Sequence, residues 1–317
     1  MIPHFSTDAS PAVLTKGQIT SGASIALPHV PSCEMRAKNR NNSRTDLYDE
    51  RGMRCCSAQV ESVWEDPVRS LKKAEPFIRD ASRAGASLVV FPEQFPTGWD
   101  PLARTHVEEC TGTTVRTLQS LAQEYTIAII GSFRERCMPS PRNTAIAIGR
   151  DGGILAQYSK IHLFSYAGED TAFTPGNTLP AFSIDGVRCG LAICYDLRFP
   201  SLFRIYAKMG VQAVFVPAAW PQARIRHWEL FIAARAAENQ MYVLGTNTRG
   251  VTPVDWYAGA SMTADPYGAI VSRAGNTDEL LYSDLDPTIV DRLRHDFPVE
   301  KDRRDALYQT LLSQQPD

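Results

Sequence analysis

The stretch "SLVVFPEQ", residues 87–94, constrains the fold most tightly. Leu88, Val89, Val90 and Phe91 follow one another without a polar break, the signature of a strand buried on both of its faces. Such a strand needs cover on two sides, which points to a layered α/β domain. The segment just upstream, "DPVRSLKKAEPFIRDASRAGA", supplies one cover. Asp66 reads as its N-cap, Pro67 as its first helical residue and Gly85 as its end. Val68, Leu71, Ala74, Phe77, Ile78 and Ala81 fall on one helical face.

The same alternation continues. Helix "TVRTLQSLAQEYT" precedes strand "IAIIGSF", and strands "NTAIAIG" and "ILAQYSK" flank the turn "RDGG". After "GLAIC" come helix "LRFPSLFRIYAKMG", strand "AVFVPAAW", helix "IRHWELFIAARAAENQ" and strand "YVLGTNT". The end of the chain reads as a hairpin and a further strand, "AGASMTADPYGAIVSRAG" and "ELLYSDLD". Hairpins among the helix–strand units predict mixed sheets rather than a purely parallel one.

Residues 1–52 lack this periodicity and mix Ser, Thr, Asn, Pro and both charges. They read as a disordered or mis-annotated extension, with Met53 as a candidate true start and 53–317 as the folded domain. A net charge of -2 without a basic run gives no footprint for nucleic acid or anionic membrane. No apolar stretch reaches the roughly 20 residues that span a bilayer. No secretory signal is evident, and the seven scattered cysteines lack paired metal-ligand spacing. Reduced thiols and a cytoplasmic location fit best. Cys55 and Cys56 alternate across a strand and read as packing, as does Cys189.

Cys194 ends "VRCGLAIC", where a cysteine is most simply a small buried hydrophobe. The functional alternative is that the strand stops there and the helix starts just beyond. The sulfur would then sit at a strand-to-helix turn, with its pKa lowered and its surface exposed. A nucleophilic thiol needs a base and an oxyanion donor. Among the histidines, His162 and His227 offer themselves no more strongly than structural residues would, and nothing selects one. Strand ends offer more: Glu93 follows "LVVF", and Lys160 follows "AQYS". Carboxylate, ammonium and thiol at the C-terminal ends of apolar strands could hydrolyse an amide-like carbon without a metal.

"FPEQFPTGW", "YSKIHLF" and "GLAICYDLRFP", in this order, resemble the three signature stretches of the nitrilase superfamily of carbon–nitrogen hydrolases. The resemblance covers nearly all of 53–310. It implies an α-β-β-α sandwich, assembly into a homodimer through a helix surface, and no cofactor. It also implies Glu93 as general base, Lys160 as oxyanion stabiliser, Cys194 as nucleophile, and the Tyr195 backbone N–H as a second oxyanion donor. Glu169 in "GEDTAFTPG" matches the family's second glutamate, which would hold Lys160 charged and oriented. "CYDLRFP" looks like the branch of ω-amidases and related amidases, although Ser201 stands where members often carry Glu.

Arg198 is a candidate for a substrate carboxylate or a cap on a neighbouring acid, and Trp220 for the pocket rim. Arg235 and Glu238 read as a structural pair. The expected reaction is hydrolysis of a small amide through a Cys thioester, with the ω-amide of a 2-oxo dicarboxylic acid such as 2-oxoglutaramate as first candidate. Alternatives are an N-carbamoyl amino acid hydrolase, another small-amide amidase or nitrilase, an inactive binding protein on the same fold, and a papain-like thiol protease.

Overall fold

The computed structural model describes residues 52–314, so the expected extension lies outside the described residues except for Gly52. Two six-stranded mixed sheets form its centre. The first holds β1 (Met53–Gln59), β2 (Leu88–Val90), β3 (Ala128–Glu135), β4 (Arg142–Ile148) and β5 (Ile154–Ser159). The second holds β6 (Ala181–Ile184), β7 (Val187–Leu191), β8 (Ala213–Ala218) and β9 (Tyr242–Asn247). A small ribbon, β10 (Arg249–Val251) with β11 (Trp256–Ala258), precedes β12 (Met262–Ala264) and β13 (Ile270–Arg273), which extend the second sheet. The last strand, β14 (Glu279–Leu285), returns to the first sheet and pairs antiparallel with β1.

Helices α1 (Pro67–Arg83) and α2 (Thr113–Tyr125) cover the first sheet, and short α3 (Glu169–Ala172) follows β5. On the second sheet lie α4 (Pro200–Lys208) and α5 (Ile225–Asn239), with α6 (Pro287–Asp296) and α7 (Asp305–Ser313) at the end. The expected α-β-β-α sandwich is the observed architecture. Leu88 and Val90 join the core shared with the second sheet, whereas Val89 packs with Leu71, Ile78 and Leu118 of the helical layer. Cys55 and Cys56 divide in the same way between the two cores.

Asp66 caps α1 by accepting from Arg69 N at 3.0 Å, and Pro67 opens the helix. Val68 departs from the expected buried face at 70% exposure, because the buried stripe begins only at Ser70 and Leu71. The helix expected from Leu197 begins at Pro200 instead. Proline fixes its own φ and needs no N–H partner there, so it suits the first helical position and ends the preceding turn.

Candidate active site

Four side chains from four strand ends or loops meet below one cavity. Glu93 lies three residues beyond β2 in a turn fixed by Gln94, whose N–H donates to Ser132 Oγ at 2.6 Å. Buried Arg134 donates to the Gln94 side chain at 2.9 Å and pairs with Glu65 at 2.7 Å. Lys160 directly follows β5, its N–H donating to the Asn143 carbonyl and its own carbonyl accepting from Gly176, both at 2.8 Å. A Cβ on Gly176 would come within 2.0 Å of the Ser159 carbonyl oxygen, so this approach needs glycine. Glu169 opens α3.

Lys160 Nζ donates to Glu93 Oε1 at 2.8 Å and to Glu169 Oε2 at 2.8 Å and Oε1 at 3.1 Å. All three side chains are buried, at 1% exposure or less. Asn143 Nδ2 bridges the carboxylates, 2.8 Å from Glu93 and 3.1 Å from Glu169. Glu169 also accepts Phe164 N–H at 2.7 Å, and Glu93 accepts Ala219 N–H at 3.0 Å. Burial works against the Lys160 ammonium, but Glu169 and Glu93 outweigh it, so its pKa is raised and the cation is fixed. Burial raises the Glu93 pKa, Lys160 opposes this and Glu169 adds to it.

Cys194 follows β7 and lies against Glu93 and the Ala219 backbone. Its φ of 44° is left-handed, uncommon for a non-glycine residue and characteristic of sharp functional turns. The expected lowered, exposed thiol is not found. Cys194 is 8% exposed, and burial followed by the Glu93 charge raises its pKa, with Lys160 only partly opposing. The residue opens a five-residue 3₁₀ turn, Cys194–Arg198, rather than leading into a long helix. With two carboxylates already around one ammonium, a resting thiolate would be a third anion in a dry site.

Asp196, which the sequence reading passed over, anchors this turn. Its Oδ2 accepts from Ile193 N at 2.9 Å and Tyr158 OH at 2.7 Å; its Oδ1 accepts from His162 N at 2.9 Å and contacts His162 Nδ1 at 2.8 Å. Tyr158 and His162 flank Lys160, so one buried carboxylate ties the nucleophile-bearing turn to the lysine loop.

The cavity above has a volume of about 210 Å³ and is bounded by Lys160, Cys194, Tyr195, Arg198, Trp220 and Tyr257, among others. Arg198 lies over the rings of Trp220, Phe231 and Tyr195 at 4.8, 5.3 and 5.7 Å. No carboxylate of the described residues forms an ion pair with it, and burial pulls its pKa below the usual guanidinium value. Trp220 is buried, its backbone N–H held by Asn247 Oδ1 at 2.7 Å. Arg235 pairs with Glu238 at 3.0 Å and donates to the Leu197 carbonyl at 2.9 Å, a structural role as expected. Among the described residues no histidine borders the cavity. His162 is held by Asp196 and stacked on Phe199, and His227 contacts Arg198.

Asn143, Asp196 and Tyr257 are the residues the sequence did not disclose. Asp196 lies inside the quoted cysteine motif, and Asn143 is a polar residue entering an apolar strand, "RNTAIAI". Tyr257 carries no such signal.

Comparison with known proteins shows the family. The carbon–nitrogen hydrolase family model matches residues 54–295. The 2-oxoglutaramate amidase of Bacillus subtilis (strain 168) is 31% identical over 252 residues, 79% of this chain and 97% of that protein. Omega-amidase NIT2 of Mus musculus is 33% identical over 272 residues, 81% of this chain and 96% of the relative. A mutant of the Nesterenkonia sp. AN1 amidase, bearing the acetamide moiety of fluoroacetamide on its active-site cysteine, superposes with a TM-score of 0.71 at 26% identity, covering 83% of this chain and 97% of that one. The chain belongs to the carbon–nitrogen hydrolase family of the nitrilase superfamily, in its ω-amidase-like branch, and is an enzyme acting on amides.

Proposed function

We propose that the protein hydrolyses the ω-amide of a small 2-oxo dicarboxylic acid such as 2-oxoglutaramate, through a thioester on Cys194. Glu93 takes the thiol proton as the sulfur attacks the amide carbon, so negative charge moves between neighbours instead of accumulating. The tetrahedral oxyanion is held by the Lys160 ammonium and the Tyr195 backbone N–H. Glu93 then returns its proton to the nitrogen, ammonia leaves and a thioester remains. Water that gives a proton to Glu93 cleaves the thioester, and the thiol is restored. Glu169 keeps the ammonium charged and aimed.

One observation carries the substrate reading: Arg198, a guanidinium held among aromatic rings on the cavity wall, with no carboxylate partner among the described residues. A partly desolvated cation without a counter-charge favours a ligand that brings one. The distal carboxylate of an ω-amic acid does so, and the relatives described as 2-oxoglutaramate amidase and omega-amidase support the choice. The cavity volume of about 210 Å³ suits a ligand of this size.

The test is ammonia release by wild type and Cys194→Ala with 2-oxoglutaramate, glutamine, an N-carbamoyl amino acid and an aliphatic nitrile. Turnover that needs Cys194 and favours 2-oxoglutaramate is expected, together with an acyl adduct on Cys194 in quenched digests. Preference for the carbamoyl compound, with carbon dioxide released alongside ammonia, would refute the substrate.

A further inference from the structure

Asn143 is the second residue of β4, and it is buried between the two carboxylates of the site. Its Nδ2 carries two hydrogens, and both are committed, one to Glu93 Oε1 at 2.8 Å and one to Glu169 Oε1 at 3.1 Å. The amide oxygen has no hydrogen-bond partner among the described residues. Turning the amide over would set that oxygen against two carboxylates, so the surrounding acceptors fix its orientation and the unpaired oxygen is the consequence.

The two oxygens of Glu93 differ in what they can still accept. A carboxylate oxygen offers two acceptor sites. On Oε1 both are filled, by Lys160 Nζ at 2.8 Å and by Asn143 Nδ2 at 2.8 Å. Oε2 accepts one hydrogen bond among the described residues, from Ala219 N–H at 3.0 Å, and keeps its second site. Ala219 is also the residue whose backbone lies against the Cys194 sulfur. The free acceptor site and the thiol therefore share a neighbour.

We propose that Asn143 is a positioning residue for the base: with Lys160 it closes Glu93 Oε1, so that the Cys194 thiol gives its proton to Oε2. As the S–H bond breaks and the Oε2–H bond forms, the sulfur electron pair bonds the amide carbon and the carbonyl π pair passes to its oxygen. Asn143 does not border the cavity and acts only through Glu93. The titratable groups around Glu93 are Lys160 after β5, Glu169 of α3, Cys194 after β7 and Tyr257 of β11. Burial raises the Glu93 pKa, the Lys160 charge opposes this, the Glu169 charge adds to it and the thiol opposes it. An amide N–H given to the ionised carboxylate acts in the same sense as Lys160, so loss of Asn143 raises the Glu93 pKa further. The assignment rests on Glu93 as the base for Cys194 and not on the identity of the amide.

The test follows alkylation of Cys194 by iodoacetamide across pH, which needs no substrate, in wild type, Asn143→Leu and Glu93→Gln. Leucine keeps the bulk of asparagine and has no side-chain N–H to give. Protonated Glu93 cannot take the thiol proton, so the acid limb of the profile reads its ionisation. In Asn143→Leu that limb is expected about 1–2 pH units higher than in wild type, the size of one hydrogen bond to a carboxylate. Partial misfolding lowers the amplitude and leaves the midpoint in place, so a lower amplitude with an unmoved midpoint would overturn the proposal, as would a limb displaced to lower pH. Asn143→Ala adds no bulk, and the same upward shift is required of it if Asn143→Leu does not fold. The Glu93→Gln profile keeps the two readings apart. A limb that survives there removes Glu93 as the base and the proposal with it, whereas a limb lost there but unmoved by either Asn143 variant leaves the base in place and refutes the role of Asn143 alone.

Discussion

Replacing Glu169 by Gln tests whether the second carboxylate acts on chemistry through Lys160. Glu169 does not border the cavity, yet its two oxygens accept from Lys160 Nζ at 2.8 and 3.1 Å, Asn143 Nδ2 at 3.1 Å and Phe164 N at 2.7 Å. Glutamine keeps the shape but turns one acceptor into a donor facing donors, and it removes one of the ammonium's two counter-charges. A charge-assisted hydrogen bond is worth about 1.5–3 kcal/mol. At about 1.4 kcal/mol per decade, that predicts a fall in kcat of about 10- to 150-fold with KM changed less than about 3-fold. The pH profile carries the sharper signature. Glu93 must be ionised to accept the thiol proton, and Glu169 is one of the charges that raise its pKa. Removing that charge lowers the Glu93 pKa, so the acid limb of kcat moves to lower pH while the plateau falls. Steady-state ammonia release across pH, with melting curves to confirm folding, reads both. An unchanged plateau, or an acid limb displaced towards alkaline pH, would refute the reasoning.

Arg198→Met keeps bulk and removes charge. KM for 2-oxoglutaramate should rise about 10- to 150-fold with kcat little changed, while kinetics on neutral propionamide stay within about 2-fold; equal effects on both would remove Arg198 from carboxylate recognition. Asp196→Asn sets an amide donor against the donors that surround this buried carboxylate. The melting temperature should fall, by an amount corresponding to about 1–3 kcal/mol, and alkylation of Cys194 by iodoacetamide should slow at least 10-fold. An unchanged alkylation rate would deny that Asp196 positions the sulfur.

The layers were legible because burial writes itself into periodicity. "SLVVF" has no polar face, so two layers had to cover it, and the alternation of Leu88 and Val90 against Val89 between the two cores is that requirement met. Glu93, Lys160 and Cys194 were legible as reactive groups following apolar strands, and order along the chain gave the resemblance. The environment of the sulfur was not. Reading a helix start at Leu197 implied a positive helix end that would lower the thiol pKa, but Pro200 delays the helix, and burial followed by the carboxylate of Glu93 raises the pKa instead. The role of Asp196 was hidden because its partners Tyr158 and His162 lie 38 and 34 residues away in the chain.

The distribution of the site over both sheets explains why the nucleophile's turn needs such firm anchoring. Glu93 and Lys160 follow strands of the first sheet, whereas Cys194 follows a strand of the second. A small slide between the layers would therefore change the distance from sulfur to base without breaking either sheet. Asp196 opposes that slide. It belongs to the turn after β7, yet its oxygens are bonded to Tyr158 of β5 and to His162 just beyond Lys160. Ala219, at the end of β8, opposes it from the other side by donating to Glu93. The two crossings join the sheets around the site, and the bonds of Asp196 to Ile193, Tyr158 and His162 fix the turn that Cys194 opens in a left-handed conformation, which costs about 1 kcal/mol or more. The bonds of Asp196 thus maintain the position of the turn, so loss of this clamp should slow alkylation of Cys194 even where the fold survives.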